Sequence, residues 1–242
     1  MATRILLAGA SGVVGRRLLP LLRDAGHEVF GTTRSPANAE RLRALGAEPL
    51  VVDVFDAAAL SRAVASARPE VVIHQLTDLP DRLDPEKMAQ AIPRNARIRD
   101  EGTRNLIAAA CAAGARRLIA QSIAWLYAPG PEPHGEDDPL QAPEGARAVT
   151  VGGVLALERQ VLGASPLVGI VLRYGQFYGP DTGTDEPTGA APLHVDAAAY
   201  AALLAVERGA AGVYNIAEPN AYASTEKARR ELGWRDDFRL PE

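Results

Sequence analysis

At 242 residues, 47% hydrophobic and 23% charged, the chain can bury a full core and is not composed like a disordered one. A formal net charge of −4 and a pI near 5.7 supply no basic field for nucleic acid or an anionic membrane. The single cysteine, Cys111, excludes an internal disulfide, and its AAACAAG setting reads as a buried, inert thiol.

The opening MATRILLAGASG is too short an apolar run for a signal peptide, and no window approaches the roughly 18 apolar residues of a spanning helix. A soluble cytoplasmic protein is expected. RILLAG (4–9) predicts a strand and GVVGRRLLPLLRDAG (12–26) a helix closed by Gly26. HEVFGTT (27–33), PLVVDV (49–54) and EVVIHQL (70–76) predict further strands, separated by helices over 36–46 and 58–67. A longer helical region, broken at Pro93, runs through 101–115, and RRLIAQS (116–122) returns to strand. A Pro/Gly/acid loop (128–147) then leads into AVTVGGVLALE (148–158), an apolar helix, and into the strand LVGIVLR (167–173).

Continuous Val/Ile/Leu runs without alternation fit strands covered on both faces, and repeated βα units give an open parallel sheet. The predicted fold is α/β, a Rossmann-like doubly wound parallel sheet over residues 1–173. Residues 174–242 form a small substrate-side lobe packed on it. Within that lobe 174–192 reads as loop, 194–209 as a helix capped by Asp196, 213–217 as a strand and 224–234 as a segment ending in a helix.

GASGVVG (9–15) sets Gly9, Gly12 and Gly15 between the first strand and the first helix. Gly9 permits the tight turn, Gly12 lets backbone approach a pyrophosphate, and Gly15 lets helix pack on strand. The helix N-terminus then offers free N–H groups to phosphate. The second strand ends in Thr32, Thr33 and Arg34 with no acid until Glu40, and Arg16 and Arg17 stand close by. A carboxylate there would bind a ribose 2′-OH, whereas an arginine accommodates a 2′-phosphate, so NADP(H) is favoured over NAD(H). Asp53 reads either as an acceptor for an adenine amino group or as the cap of the next helix.

These residues resemble the extended short-chain dehydrogenase/reductase family, the NAD-dependent epimerase/dehydratase group. The resemblance rests on GASGVVG, VVIHQL (71–76), EGTRNLIAAA (101–110), RRLIAQSIAWLYA (116–128), LRYGQFYGP (172–180), LHVDAAAYA (193–201) and VYNIA (213–217). It implies a nicotinamide cofactor held by Gly9, Ser11, Gly12, Val13, Val14, Gly15, Thr33, Arg34, Asp53, Val54, Gln75, Leu76, Thr77, Ser122 and Tyr174. It also implies a homodimer through helices around 101–113 and 152–163.

The family's chemistry uses a Ser or Thr after the fifth strand and a Tyr-x-x-x-Lys pair on the following helix. The tyrosine exchanges a proton with a substrate oxygen while hydride moves. Anchored on Glu158, this chain places Thr150 and Val154 where that pair belongs. No other register helps, because no Tyr lies between Tyr127 and Tyr174 and the only lysines are Lys87 and Lys227. Ser122 stands five residues before Tyr127, where the family hydroxyl stands four before, and the place of the family's Asn upstream of the GT pair falls near Arg99, another departure. Gly152 and Gly153 each cost about 1 kcal/mol inside a helix and point to close backbone approach or a late helix start.

Ser122, Tyr127 and Tyr174 remain as catalytic candidates, each with a structural role as the simpler alternative. His74, His134 and His194 lack metal-ligand spacing, and no nucleophile elbow supports a Ser-His-Asp triad, so no metal is expected. Two functions stay open. One is an atypical NADP(H)-dependent oxidoreductase or epimerase acting on a small carbonyl or sugar-like substrate. The other is a catalytically inactive NAD(P)-binding sensor or scaffold.

Overall fold

The computed structural model of the protein describes residues 2–241. In chain order its elements are β1 (Arg4–Ala8), α1 (Val13–Asp24), β2 (Glu28–Thr33), α2 (Pro36–Ala44), β3 (Glu48–Val51), α3 (Ala57–Ala67), β4 (Val71–His74) and α4 (Pro85–Arg97). Then follow α5 (Thr103–Ala112), β5 (Arg117–Ile123), α6 (Ala148–Leu162), β6 (Val168–Tyr174), β7 (Gln176–Tyr178), β8 (Pro192–His194), α7 (Val195–Ala205) and β9 (Gly212–Ile216). The main sheet has the order β3-β2-β1-β4-β5-β6-β9 with every neighbouring pair parallel. The order reverses between β1 and β4, which opens a crevice at the carboxyl edge of the sheet.

Helices on both faces bury the apolar runs. On one side α1 turns Val14, Leu18, Leu19 and Leu22 toward β1 and β2, a stripe at helical spacing. On the other, Leu60 and Val64 of α3, Leu106 and Ala110 of α5, and Leu157 and Val161 of α6 cover the sheet. α7 is almost wholly buried and packs along α1, which its run of alanines permits by keeping the two backbones close. Trp234 closes that layer by donating its ring N–H to the Ala197 carbonyl at 2.9 Å.

The predicted Rossmann-like parallel sheet is thus present, and several local expectations are corrected. Pro93 does not break its helix: α4 runs through it to Arg97, and a wide turn over Ile98–Gly102 carries the chain into α5. A proline removes one ladder bond, and packing of α4 against α6 holds the rest. The stretch 174–192 is not all loop, since β7 and β8 pair in parallel as a separate ladder. α7 is capped by His194, whose Nδ1 accepts from the Asp196 N–H at 3.2 Å; Asp196 itself is buried in an ion pair with Arg17 at 2.5 Å. α6 begins at Ala148, so the glycines do not mark a late start. Close approach is the reason at Gly153, where a Cβ would stand 3.0 Å from Ala96 Cα. Residues 174–242 are shared between the sheet edge, through β9 and α7, and the small ladder beyond it.

Candidate functional site

Glycines build the floor of the crevice. Gly9 has φ +90°, and a Cβ there would meet the Gln75 carbonyl at 2.6 Å. A Cβ on Gly15 would collide with the Gly9 carbonyl. α1 therefore starts directly against β1, capped by Gly12 with no side-chain hydrogen bond and no acid in its first turn. Its leading N–H groups are left to an outside acceptor.

One cavity gathers most of the expected binding residues. Gly9, Ser11 and Gly12 line it from the turn, Thr33 and Arg34 from the end of β2, Asp53 and Val54 from beyond β3, and Gln75, Leu76 and Thr77 from beyond β4. Val13, Val14 and Gly15 lie behind this wall, packing α1 on the sheet, and Ser122 and Tyr174 are also outside the lining. Asp53 does not cap α3; Asp56 does so by accepting from Ala59 N, while Asp53 accepts from the Phe55 N–H at 2.9 Å. Arg34 is exposed and faces the Asp78 carboxylate at 3.7 Å. Arg16 is drawn to Asp181 and Arg17 to Asp196, so neither is a free cation. Gln75 is 4% exposed, and its Oε1 has no partner among the described residues. Whichever way the amide is turned, one of its polar atoms is left for a ligand.

Two of the three catalytic candidates, Ser122 and Tyr127, are spent on structure. Ser122 donates to Glu158 Oε1 at 2.6 Å, and Arg173 grips the same carboxylate at 3.0 and 2.7 Å. Arg173 also donates to the Tyr127 hydroxyl at 2.8 Å, and that hydroxyl donates to Asn215 Oδ1 at 2.7 Å. The Ser122 and Arg173 side chains share a face because β5 and β6 pair them directly. Burial opposes the Arg173 charge, but the bonds to Glu158 outweigh it and hold the guanidinium more firmly protonated than usual. Tyr174 is 1% exposed, accepts from Gln75 Nε2 at 3.3 Å, and burial raises its pKa. Thr150 is half-buried on α6 and Val154 is fully buried, so the two places where a proton-transfer pair is expected hold one hydroxyl and one aliphatic group.

His74, at the end of β4, is another buried titratable group beside the crevice. Its Nδ1 accepts from the Leu76 N–H, so Nε2 carries the proton and donates to Thr103 Oγ1 at 3.0 Å. Burial, with the charge of Arg99 adding to it, lowers its pKa from 6.5 to about 4. The unfolded chain takes up that proton below pH 6.5 while the folded one refuses it until about 4. Stability from keeping His74 neutral is therefore complete above pH 6.5 and is lost as pH falls through that window, to the extent of about 3 kcal/mol. Urea unfolding of His74→Gln should show a shallower acid decline than the wild type by that amount, and identical declines would remove the assignment.

A second cavity of about 510 Å³ lies beyond the ends of β5 and β6, walled by Trp125, Tyr127, His134 and Tyr222. Gln141, Arg147 and Gln176 are its polar lining, with Glu132 at an exposed rim position. Sequence reasoning missed this cavity, Asp78 and the Arg173–Glu158 pair. The signal for the pair was an arginine ending the otherwise apolar strand LVGIVLR, since a charge in a buried strand demands a partner. The cavity left no such signal, because its walls come from four separated segments.

Comparison with known proteins agrees with this geometry. Residues 5–238 match the model of the NAD dependent epimerase/dehydratase family. The 3-diazoavenalumate denitrifying reductase of a Streptomyces species is 43% identical over 237 residues, covering 89% of this chain and 76% of that protein. UDP-glucose 4-epimerase of Thermotoga maritima, solved with UDP-glucose, superposes with a TM-score of 0.77 at 18% identity, covering 96% of this chain and 93% of that one. MoeE5, solved with UDP-glucuronic acid and NAD, superposes at 0.75 with 20% identity, covering 97% and 94%. Among the described residues no helix is long and apolar enough to cross a membrane. The glycine turn, the sheet order and the match along nearly the whole chain lead to one conclusion: this chain belongs to the NAD-dependent epimerase/dehydratase family.

Proposed function

We propose that the protein is an NADP(H)-dependent reductase that passes hydride to a small, electron-poor acceptor of the diazo class without a side-chain proton donor. The observation that carries this reading is the occupancy of the proton-transfer places: Thr150 and Val154 on α6, with Ser122 and Tyr127 tied into the Glu158–Arg173 network. A carbonyl that receives hydride becomes an alkoxide and needs a proton, which a positioned acid speeds by about 10²–10⁴-fold. An aryl diazonium needs none. Hydride bonds to its terminal nitrogen, giving neutral Ar–N=N–H; the carbon–nitrogen bond then breaks with its electron pair left on the ring carbon, that carbon takes the N–H proton, and the N–H pair stays with the departing N₂. The positive charge of the acceptor is cancelled by the hydride itself. The name of the 43% identical relative, a denitrifying reductase of a diazo compound, describes a reaction of this kind.

The residues of the first cavity fit a nicotinamide dinucleotide. The diphosphate would rest on the unoccupied N–H groups at the start of α1, over Gly9 and Gly12, and the Gln75 amide has a polar atom to spare. A bound reduced nicotinamide would supply the hydride. Arg34 would hold a 2′-phosphate, in competition with the Asp78 carboxylate it now faces.

The test mixes the protein with NADPH and 4-carboxybenzenediazonium and follows NADPH oxidation with N₂ release. One-to-one consumption above the protein-free rate is expected, with NADPH preferred to NADH and the preference erased in Arg34→Ala. Release at the protein-free rate would end the reductase reading; equal use of both nucleotides by the wild type would end the role of Arg34.

A further inference from the structure

We infer that the second cavity is a binding site for a planar aromatic carboxylate, with Arg147 as the group that holds the acid. The inference rests on the reductase reading for its purpose, and its chemistry is argued from the cavity alone.

The wall is flat, aromatic and already braced. Tyr127 and His134 stack with centroids 4.8 Å apart at 15°, and Tyr222 meets His134 edge-on at 5.2 Å. Offset and edge-on packing of this kind accepts another planar ring. Part of the polar lining is engaged by the protein itself. The Tyr127 hydroxyl serves Arg173 and Asn215, and the Tyr222 hydroxyl accepts from the Tyr127 N–H at 3.2 Å. Gln141 Nε2 donates to the Tyr127 carbonyl, and Gln176 Oε1 accepts from the Ala191 N–H.

Arg147 is the cation of this lining. It lines the cavity, is exposed, and makes no ion pair or hydrogen bond among the described residues, Glu132 included. It is also the N-cap residue of α6, a 15-residue helix whose start has no capping side chain and no acid in its first turn. The guanidinium therefore stands unpaired at one end of the cavity, beside the start of α6, where the Ala148 N–H is already taken by the Gly145 carbonyl. A carboxylate there pairs with the guanidinium, while the ring it carries lies along the aromatic wall.

The test is calorimetry on the NADPH-loaded protein with 4-hydroxycinnamate, its neutral amide and UDP-glucose as probes. The acid should bind about tenfold or more tightly than the amide, the scale of one charge-assisted bond, and more tightly than UDP-glucose. Arg147→Gln should bring acid and amide together while NADPH still titrates, which also certifies the fold. Equal binding of acid and amide, an Arg147→Gln protein that keeps the difference, no acid binding at all, or tighter UDP-glucose binding would each overturn the inference. Acid binding without diazonium turnover would instead remove the reductase reading and leave this one standing.

Discussion

Replacing Glu158 with alanine is expected to cost about 3–5 kcal/mol of folding stability, the range for removing one partner of a buried ion pair. Arg173 is 5% exposed and holds both Glu158 oxygens; without them its guanidinium would keep only the Tyr127 hydroxyl and the Glu136 carbonyl. Ser122 would lose the acceptor of its buried hydroxyl as well. Arg99, buried and with its pKa lowered to about 10 by desolvation, would lose the opposing charge that favours its protonated form. A double variant, Glu158→Leu with Arg173→Met, should recover much of the loss, because it removes both charges and leaves apolar groups of similar volume. Denaturant unfolding at pH 7 measures both. A cost under 1 kcal/mol for Glu158→Ala would mean that water reaches this network and that the burial argument for Ser122 and Tyr127 fails.

Two glycines three residues apart should differ in what a valine does to folding. Gly12 has φ −76° and ψ 177°, a conformation open to any residue, and a Cβ there meets only the Gly9 carbonyl, at 3.3 Å. Gly12→Val should therefore fold, with stability within about 1 kcal/mol of wild type, yet NADPH titration should be abolished because the side chain occupies the diphosphate's place. Gly15→Val should fail in both respects. Its Cβ would drive into the Gly9 carbonyl and the Ala10 backbone, and overpacking of this kind costs about 1–3 kcal/mol or more. Thermal unfolding paired with cofactor fluorescence separates the two. Retained NADPH binding in Gly12→Val would place the diphosphate elsewhere.

Much of the fold was legible in the sequence, and the reason is local. RILLAG, VVIHQL and LVGIVLR lack alternation and so announce strands covered on both faces; the helices between them carry apolar stripes at helical spacing. The glycine turn was legible for the same reason, since Gly9, Gly12 and Gly15 act within one strand–turn–helix unit. Where the reading slipped, long-range packing won: α4 survives Pro93 because α6 lies against it, and β7 finds β8 across a gap that looked like loop.

By itself the sequence determined the parallel α/β architecture, the phosphate-ready turn and the absence of a Tyr-Lys pair between β5 and β6, because each is written in neighbouring residues. Only the tertiary structure decided the fates of individual polar side chains. It spent Ser122 and Tyr127 on Arg173 and Glu158, separated Asp53 from the cap of α3, faced Arg34 with Asp78, and left Arg147 unpaired beside an aromatic wall. A side chain's chemistry depends on what lies within about 4 Å of it in space, and those neighbours come from segments tens of residues apart that only the folded packing brings together.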